Sequence, residues 1–74
     1  MIHYEIAKKI AVLGGEAGAN TKELNLVKWG IYEPAFDIRR WERGAPRKGI
    51  TLNRKEAQLL LKYLKKELEE EENE

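Results

Sequence analysis

An α+β chain is predicted, with a four-stranded antiparallel curved sheet followed by one C-terminal helix in the order ββββα. Three observations predict it. Apolar and polar residues alternate at a period of two through Thr21–Trp29, Ala35–Trp41 and Arg47–Leu52. Short Gly- or Pro-bearing turns separate the extended runs, which favours an antiparallel meander. After Asn53 the apolar period switches to that of a helix.

The first strand spans Tyr4 to Leu13. Tyr4, Ile6, Ile10 and Val12 share one parity, and Lys8 interrupts it. An extra residue near Lys8–Lys9 would exchange the faces, so a bulge is expected there. Gly14 to Gly18 forms a loop. In the second strand Leu24 and Leu26 take one side, and Glu23, Asn25, Val27 and Trp29 the other. Gly30 to Pro34 ends it. In the third strand Phe36 and Ile38 point one way, and Asp37, Arg39 and Trp41 the other. A turn at Gly44–Pro46 leads to the fourth strand, with Ile50 and Leu52 on the core side. Tyr4 and Phe36 are expected in the core as well, and Tyr32 lies in a loop whose role stays open.

Asn53 and Glu56 have the spacing of a capping box at the start of the helix. Ala57, Leu60, Leu61, Leu64 and Leu68 form an apolar stripe, widened by Leu59 and Tyr63. At ~100° per residue the apolar arc reaches roughly 200°, about twice what one small sheet needs. The surplus, represented by Leu59, Leu60, Tyr63 and Leu64, is expected to meet a second copy of the chain. Residues 69–74 are acidic and free of apolar side chains, and are expected to fray because negative charge opposes the dipole at a helix C-terminus.

Seventy-four residues make one domain, 1–74, and a chain of this size is marginal alone. With no cysteine and one histidine, neither a disulfide framework nor a metal centre is expected. No cofactor, small-molecule substrate or enzymatic activity is expected either, since no nucleophile–base set or phosphate loop stands out. No apolar stretch approaches ~20 residues and no signal core is visible, so a cytoplasmic protein without membrane contact is the expectation. The net charge of +1 hides a division. Residues 1–55 carry 11 Lys+Arg against 6 Asp+Glu; residues 56–74 carry 3 Lys against 7 Glu. A polyanion site is expected on the basic, strand-forming part.

The run Phe36 to Asn53, FDIRRWERGAPRKGITLN, places five cations and a tryptophan on two strands. Arg39 and Trp41 lie two apart, so their side chains leave one face of the strand together. A guanidinium can hold a phosphate while a neighbouring indole stacks on a base, which is the chemistry that a single-stranded nucleic acid requires. Asp37 on that face is expected to pair with Arg39 or another cation and fix its direction. The alternative for Trp41 is a sheet-edge ring covering a dimer seam. Arg47 and Lys48 precede Gly49, where a sugar-phosphate could approach closely; their alternative is a solvated surface role. Lys9, Lys22 and Lys28 are candidates for the rim of a basic groove. Trp29 is either a second stacking ring or a packing residue near Trp41. The directions of Arg40 and Arg43 are not readable.

Asp37-Ile38-Arg39 with Trp41, a turn, and Arg47-Lys48-Gly49-Ile50-Thr51-Leu52-Asn53 before a helix resembles the positive-cofactor-four transcriptional coactivator domain. The upstream Thr21–Val27 segment with Trp29 is similar to the bacterial YdbC-type branch of that family. The resemblance runs from about Tyr4 to about Leu64. It implies a helix-swapped homodimer, two curved sheets backed by paired helices, and single-stranded DNA binding with little sequence preference. It implies DNA contact for Arg39 and Lys48, and nucleoid association if the source is bacterial. The turn Glu42–Pro46 is shorter than in many members, so contacts from a longer loop are not carried over. An RNA-binding module on the same surface, or a protein-interaction and dimerisation module with an incidental basic face, are the alternatives.

Overall fold

The computed structural model describes residues 3–16 and 18–72. Strands β1 (Tyr4–Gly15), β2 (Asn20–Trp29), β3 (Ala35–Glu42) and β4 (Ala45–Leu52) form one antiparallel sheet in the order β1-β2-β3-β4. Helix α1 (Arg54–Glu72) follows β4 directly. Among the described residues, no helix is long and apolar enough to cross a membrane.

Local chemistry accounts for the punctuation. Asn53 Oδ1 accepts from the Glu56 N–H at 2.8 Å, and Glu56 Oε1 accepts from the Asn53 N–H at 2.9 Å, so the capping box closes reciprocally. The β3–β4 turn is tighter than Glu42–Pro46. It consists of Arg43 and Gly44, both at positive φ (50° and 81°), the backbone that a two-residue hairpin needs to match strand twist. The helix continues through Glu72, which takes in the first four residues of the acidic run. Glutamate is a good helix former, and Lys65 and Lys66 lie one turn before Glu69 and Glu70. The last two residues of that acidic tail lie outside the described residues.

β1 contains not one bulge but three. Its pairing with β2 shifts between Ile6 and Lys8, between Lys9 and Ala11, and between Val12 and Gly14. Each extra residue bends the strand and resets which side chains face which way. The N–H of Ile10, an extra residue, donates to Asn25 Oδ1 at 3.3 Å. Asn25 is 1% exposed, and this bond explains a buried amide in β2: it satisfies a backbone donor that the ladder leaves out.

The pairing sorts the sheet into two faces. Tyr4, Ile6, Lys9 and Val12 of β1 lie opposite Trp29, Val27, Asn25 and Glu23 of β2. Asp37, Arg39 and Trp41 of β3 continue this aromatic face. Leu24, Leu26, Phe36, Ile38, Ile50 and Leu52 form the aliphatic face. The most buried side chains, Val27, Trp41, Thr21, Asn25 and Asp37, all stand on the aromatic face. This corrects the expectation of a core on the aliphatic side. There Ile50 is 56% exposed, and α1 touches the sheet only at β3 and β4, its first turns lying over Phe36. Tyr4 of the bulged β1 reaches over to Trp41 on the aromatic face, whereas a helix that meets the sheet near its start leaves the aliphatic face open. Tyr4, expected in the core, is 39% exposed.

Candidate nucleic-acid interface

Asp37 organises the site. It is fully buried at the third position of β3, and its carboxylate accepts from Arg39 Nε at 2.6 Å, Arg39 Nη2 at 2.7 Å and Trp29 Nε1 at 3.2 Å. The fork-on-fork pair fixes the guanidinium plane. Arg39 Nη1 also donates to the Arg47 carbonyl at 2.9 Å, and the guanidinium carbon stands 4.4 Å from the Trp29 ring centroid. Three of its five N–H groups are thereby used, leaving two for an anion. The expectation that Asp37 orients Arg39 is met, and Trp29 joins the same unit.

Tyr4 extends the row. Its ring centroid is 5.3 Å from that of Trp29 and 5.8 Å from that of Trp41, the second contact being edge-on. Trp41, Tyr4, Trp29 and Arg39 therefore form a continuous series of flat groups across three strands. Trp41 is not the open ring that its place in β3 suggested. It is 4% exposed with the Tyr4 ring edge-on to it, and among the described residues its Nε1 has no hydrogen-bond partner. The accessible ring is Tyr4.

Three clefts border this row, the smallest between Tyr4 and Lys28; the two larger ones hold its other members. One, of about 660 Å³, is lined by Tyr4, Lys9, Thr21, Glu23, Trp41 and Arg43 among others. The other, of about 390 Å³, lies between Trp29, Arg39, Tyr32 and Thr51. Tyr32 is 74% exposed, which places the loop ring beside the Arg39–Trp29 stack. In the first cleft the Glu23 carboxylate accepts from Thr21 Oγ1 at 2.5 Å and from Asn25 Nδ2 at 3.4 Å.

Of the expected site residues, Lys9, Trp29, Arg39 and Trp41 come together. Lys9 arrives there through the bulges on either side of it, which leave Lys8 opposite Leu26 on the other face. Lys22 and Lys28 stand on the aliphatic face, opposite Arg40 and Glu5 in the ladders, and Lys28 Nζ donates to the Gly30 carbonyl at 2.7 Å. Lys22 does not border the aromatic row, whereas Lys28 shares a small cleft with Tyr4, His3 and Glu5 at its edge. Arg47 does not join the row through its side chain either. The β3–β4 register shifts between Arg39 and Trp41, and the Arg47 guanidinium pairs with Glu42 at 3.1 Å, where Arg40 also pairs. Lys48 lies in the same irregular stretch and is exposed. The close approach expected at Gly49 is made by the protein's own β3: a Cβ there would sit 2.0 Å from Arg39 Cβ and 2.4 Å from the Ile38 carbonyl.

Leu59, Leu60, Tyr63 and Leu64 are exposed on α1, with the Lys62 ammonium 5.6 Å from the Tyr63 ring. Sequence reasoning missed Tyr4, Glu23 and Asn25. Their signal was the pairing of β1 with β2, which a local pattern does not carry. No protein-family model matches the chain, and no curated protein matches it either.

Proposed function

We propose that this chain is a non-catalytic single-stranded DNA-binding module, similar to the positive-cofactor-four coactivators, that works as a homodimer in transcription or DNA maintenance. The observation that carries the reading is the row Trp41–Tyr4–Trp29–Arg39 on one sheet face, with Lys9 and Arg43 beside one end and Tyr32 beside the other. Bases stack on Tyr4 and Tyr32, phosphates meet the cations, and Arg39 holds Trp29 in place. Base stacking contributes roughly 1–3 kcal/mol per base and tolerates most sequences.

The dimer is supported by the apolar surface left open. Ile50, Leu60, Leu61, Leu64 and Leu68 are all exposed in the single chain, and a domain this short buries little by itself. A second copy covering the aliphatic face and α1 leaves the aromatic row free for nucleic acid. A single-chain mass in sedimentation equilibrium at micromolar concentration would remove the dimer from this account.

Titration with short oligo-dT tests the binding. Tryptophan fluorescence should be quenched to saturation at low salt. The logarithm of affinity should fall with that of salt at a slope of ~0.7 per neutralised phosphate. Unchanged fluorescence with no detectable binding would refute the reading. Matched RNA is the competitor that decides between the nucleic acids, since the 2′-hydroxyl is the distinguishing group.

A further inference from the structure

The cleft between β1 and the β3–β4 turn contains a group that does not suit a phosphate. Glu23 lies among Lys9, Thr21, Trp41 and Arg43, and its carboxylate is oriented by two neighbours in β2, Thr21 and Asn25. Each carboxylate oxygen takes one protein donor and keeps a further acceptor position. An anion set against Glu23 itself would meet like charge, whereas a ligand group bearing N–H donors would be accepted there, with Lys9 and Arg43 left for anions at the rim. The second observation is Trp41. It lines the same cleft, is 4% exposed, and its Nε1–H has no acceptor among the described residues. Buried donors are seldom left so. The ring edge-on to it, Tyr4, is 39% exposed and lies at the start of the edge strand β1, on the open side of the cleft.

We propose that this cleft is a base-reading subsite for guanine, with Glu23 accepting from N1–H and the N2 amino group and Trp41 Nε1 donating to O6. The proposal rests on the nucleic-acid reading above and adds a preference at one position to an otherwise tolerant surface. Guanine is the base whose pairing edge sets two donors side by side with a carbonyl next to them. Adenine and cytosine place an amino group beside a ring acceptor that would face the carboxylate. Thymine has one imino proton between two carbonyls. Single strands expose these edges, and a bidentate contact of this kind discriminates by roughly tenfold. Lys9 and Arg43, at the rim, serve the flanking phosphates.

The test is a competition series on the full chain. Short oligo-dT strands carry a single central dG, deoxyinosine, dA or dC, and each competes against a fluorescent oligo-dT. The proposal expects dG to bind about tenfold tighter than unmodified oligo-dT. Deoxyinosine, which lacks the N2 amino group, should lose most of that gain. In Glu23→Gln the ratio of dG-strand to oligo-dT affinity should fall to about one, whatever the overall affinity of the variant. Wild-type affinities for dG and dT within twofold of each other, or a Glu23→Gln chain that keeps the preference, would overturn the proposal and leave the general binding reading intact. Absence of binding to every strand would overturn both. The dG-to-deoxyinosine comparison uses the unaltered protein, so it stands even if the variant folds poorly.

Discussion

Replacing Asp37 with Asn removes one charge from the centre of the aromatic face and leaves the shape of the side chain. The carboxylate accepts three hydrogen bonds, two from Arg39 and one from Trp29, and none of it is exposed. An amide turns an N–H₂ toward at least one of these donors, so one bond becomes a repulsive contact and the rest lose their ionic character. Breaking a buried pair by removing one partner costs about 3–5 kcal/mol. Arg39 keeps its bond to the Arg47 carbonyl and 15% side-chain exposure, so water recovers part of the loss. The expected destabilisation is about 2–3 kcal/mol. A domain of this length has on the order of 4–11 kcal/mol in total, so the fraction lost is large. Urea denaturation at fixed protein concentration measures it, the concentration being held because assembly adds to apparent stability. The midpoint should fall with little change in slope. A loss below about 0.5 kcal/mol, the range of ordinary surface substitutions, would show that Asp37 does not organise Arg39 and Trp29.

Gly49→Ala should destabilise by roughly 1–3 kcal/mol in the same assay, because the new Cβ would overlap backbone and Cβ atoms of β3 rather than a movable side-chain end. Asn25→Leu, which removes the acceptor for the Ile10 N–H, should cost about 1–3 kcal/mol and raise hydrogen exchange at Ile10. Lys9→Glu should weaken oligo-dT binding and lower the salt slope, while Lys22→Glu, on the aliphatic face, should change neither beyond about twofold.

The parts of this fold that depend on neighbours in sequence were legible. β2 and β3 alternate without interruption, so Leu24 and Leu26 were separated correctly from Val27 and Trp29, and Ile38 from Arg39. The Asn53–Glu56 cap is a four-residue device and could be read as such. What failed depends on pairing between strands. Three extra residues in β1 decide that Lys9, not Lys8, shares a face with Trp29, and their positions are set by the partner strand. The shift opposite Arg40 sent the Arg47 side chain to Glu42, against simple alternation. Tyr4 was assigned to the core because its parity was apolar. Only the Tyr4–Trp29 pairing reveals that this parity belongs to the aromatic face.

The most direct test of the nucleic-acid face is an NMR titration of the labelled chain with short oligo-dT at low salt. The account predicts that the largest shifts fall on Tyr4, Lys9, Tyr32 and Arg39 and on the Trp29 and Trp41 indole N–H signals. Leu24, Leu26 and Lys22 should stay nearly still. Shifts concentrated on the aliphatic face and α1, with the indole signals unmoved, would contradict it.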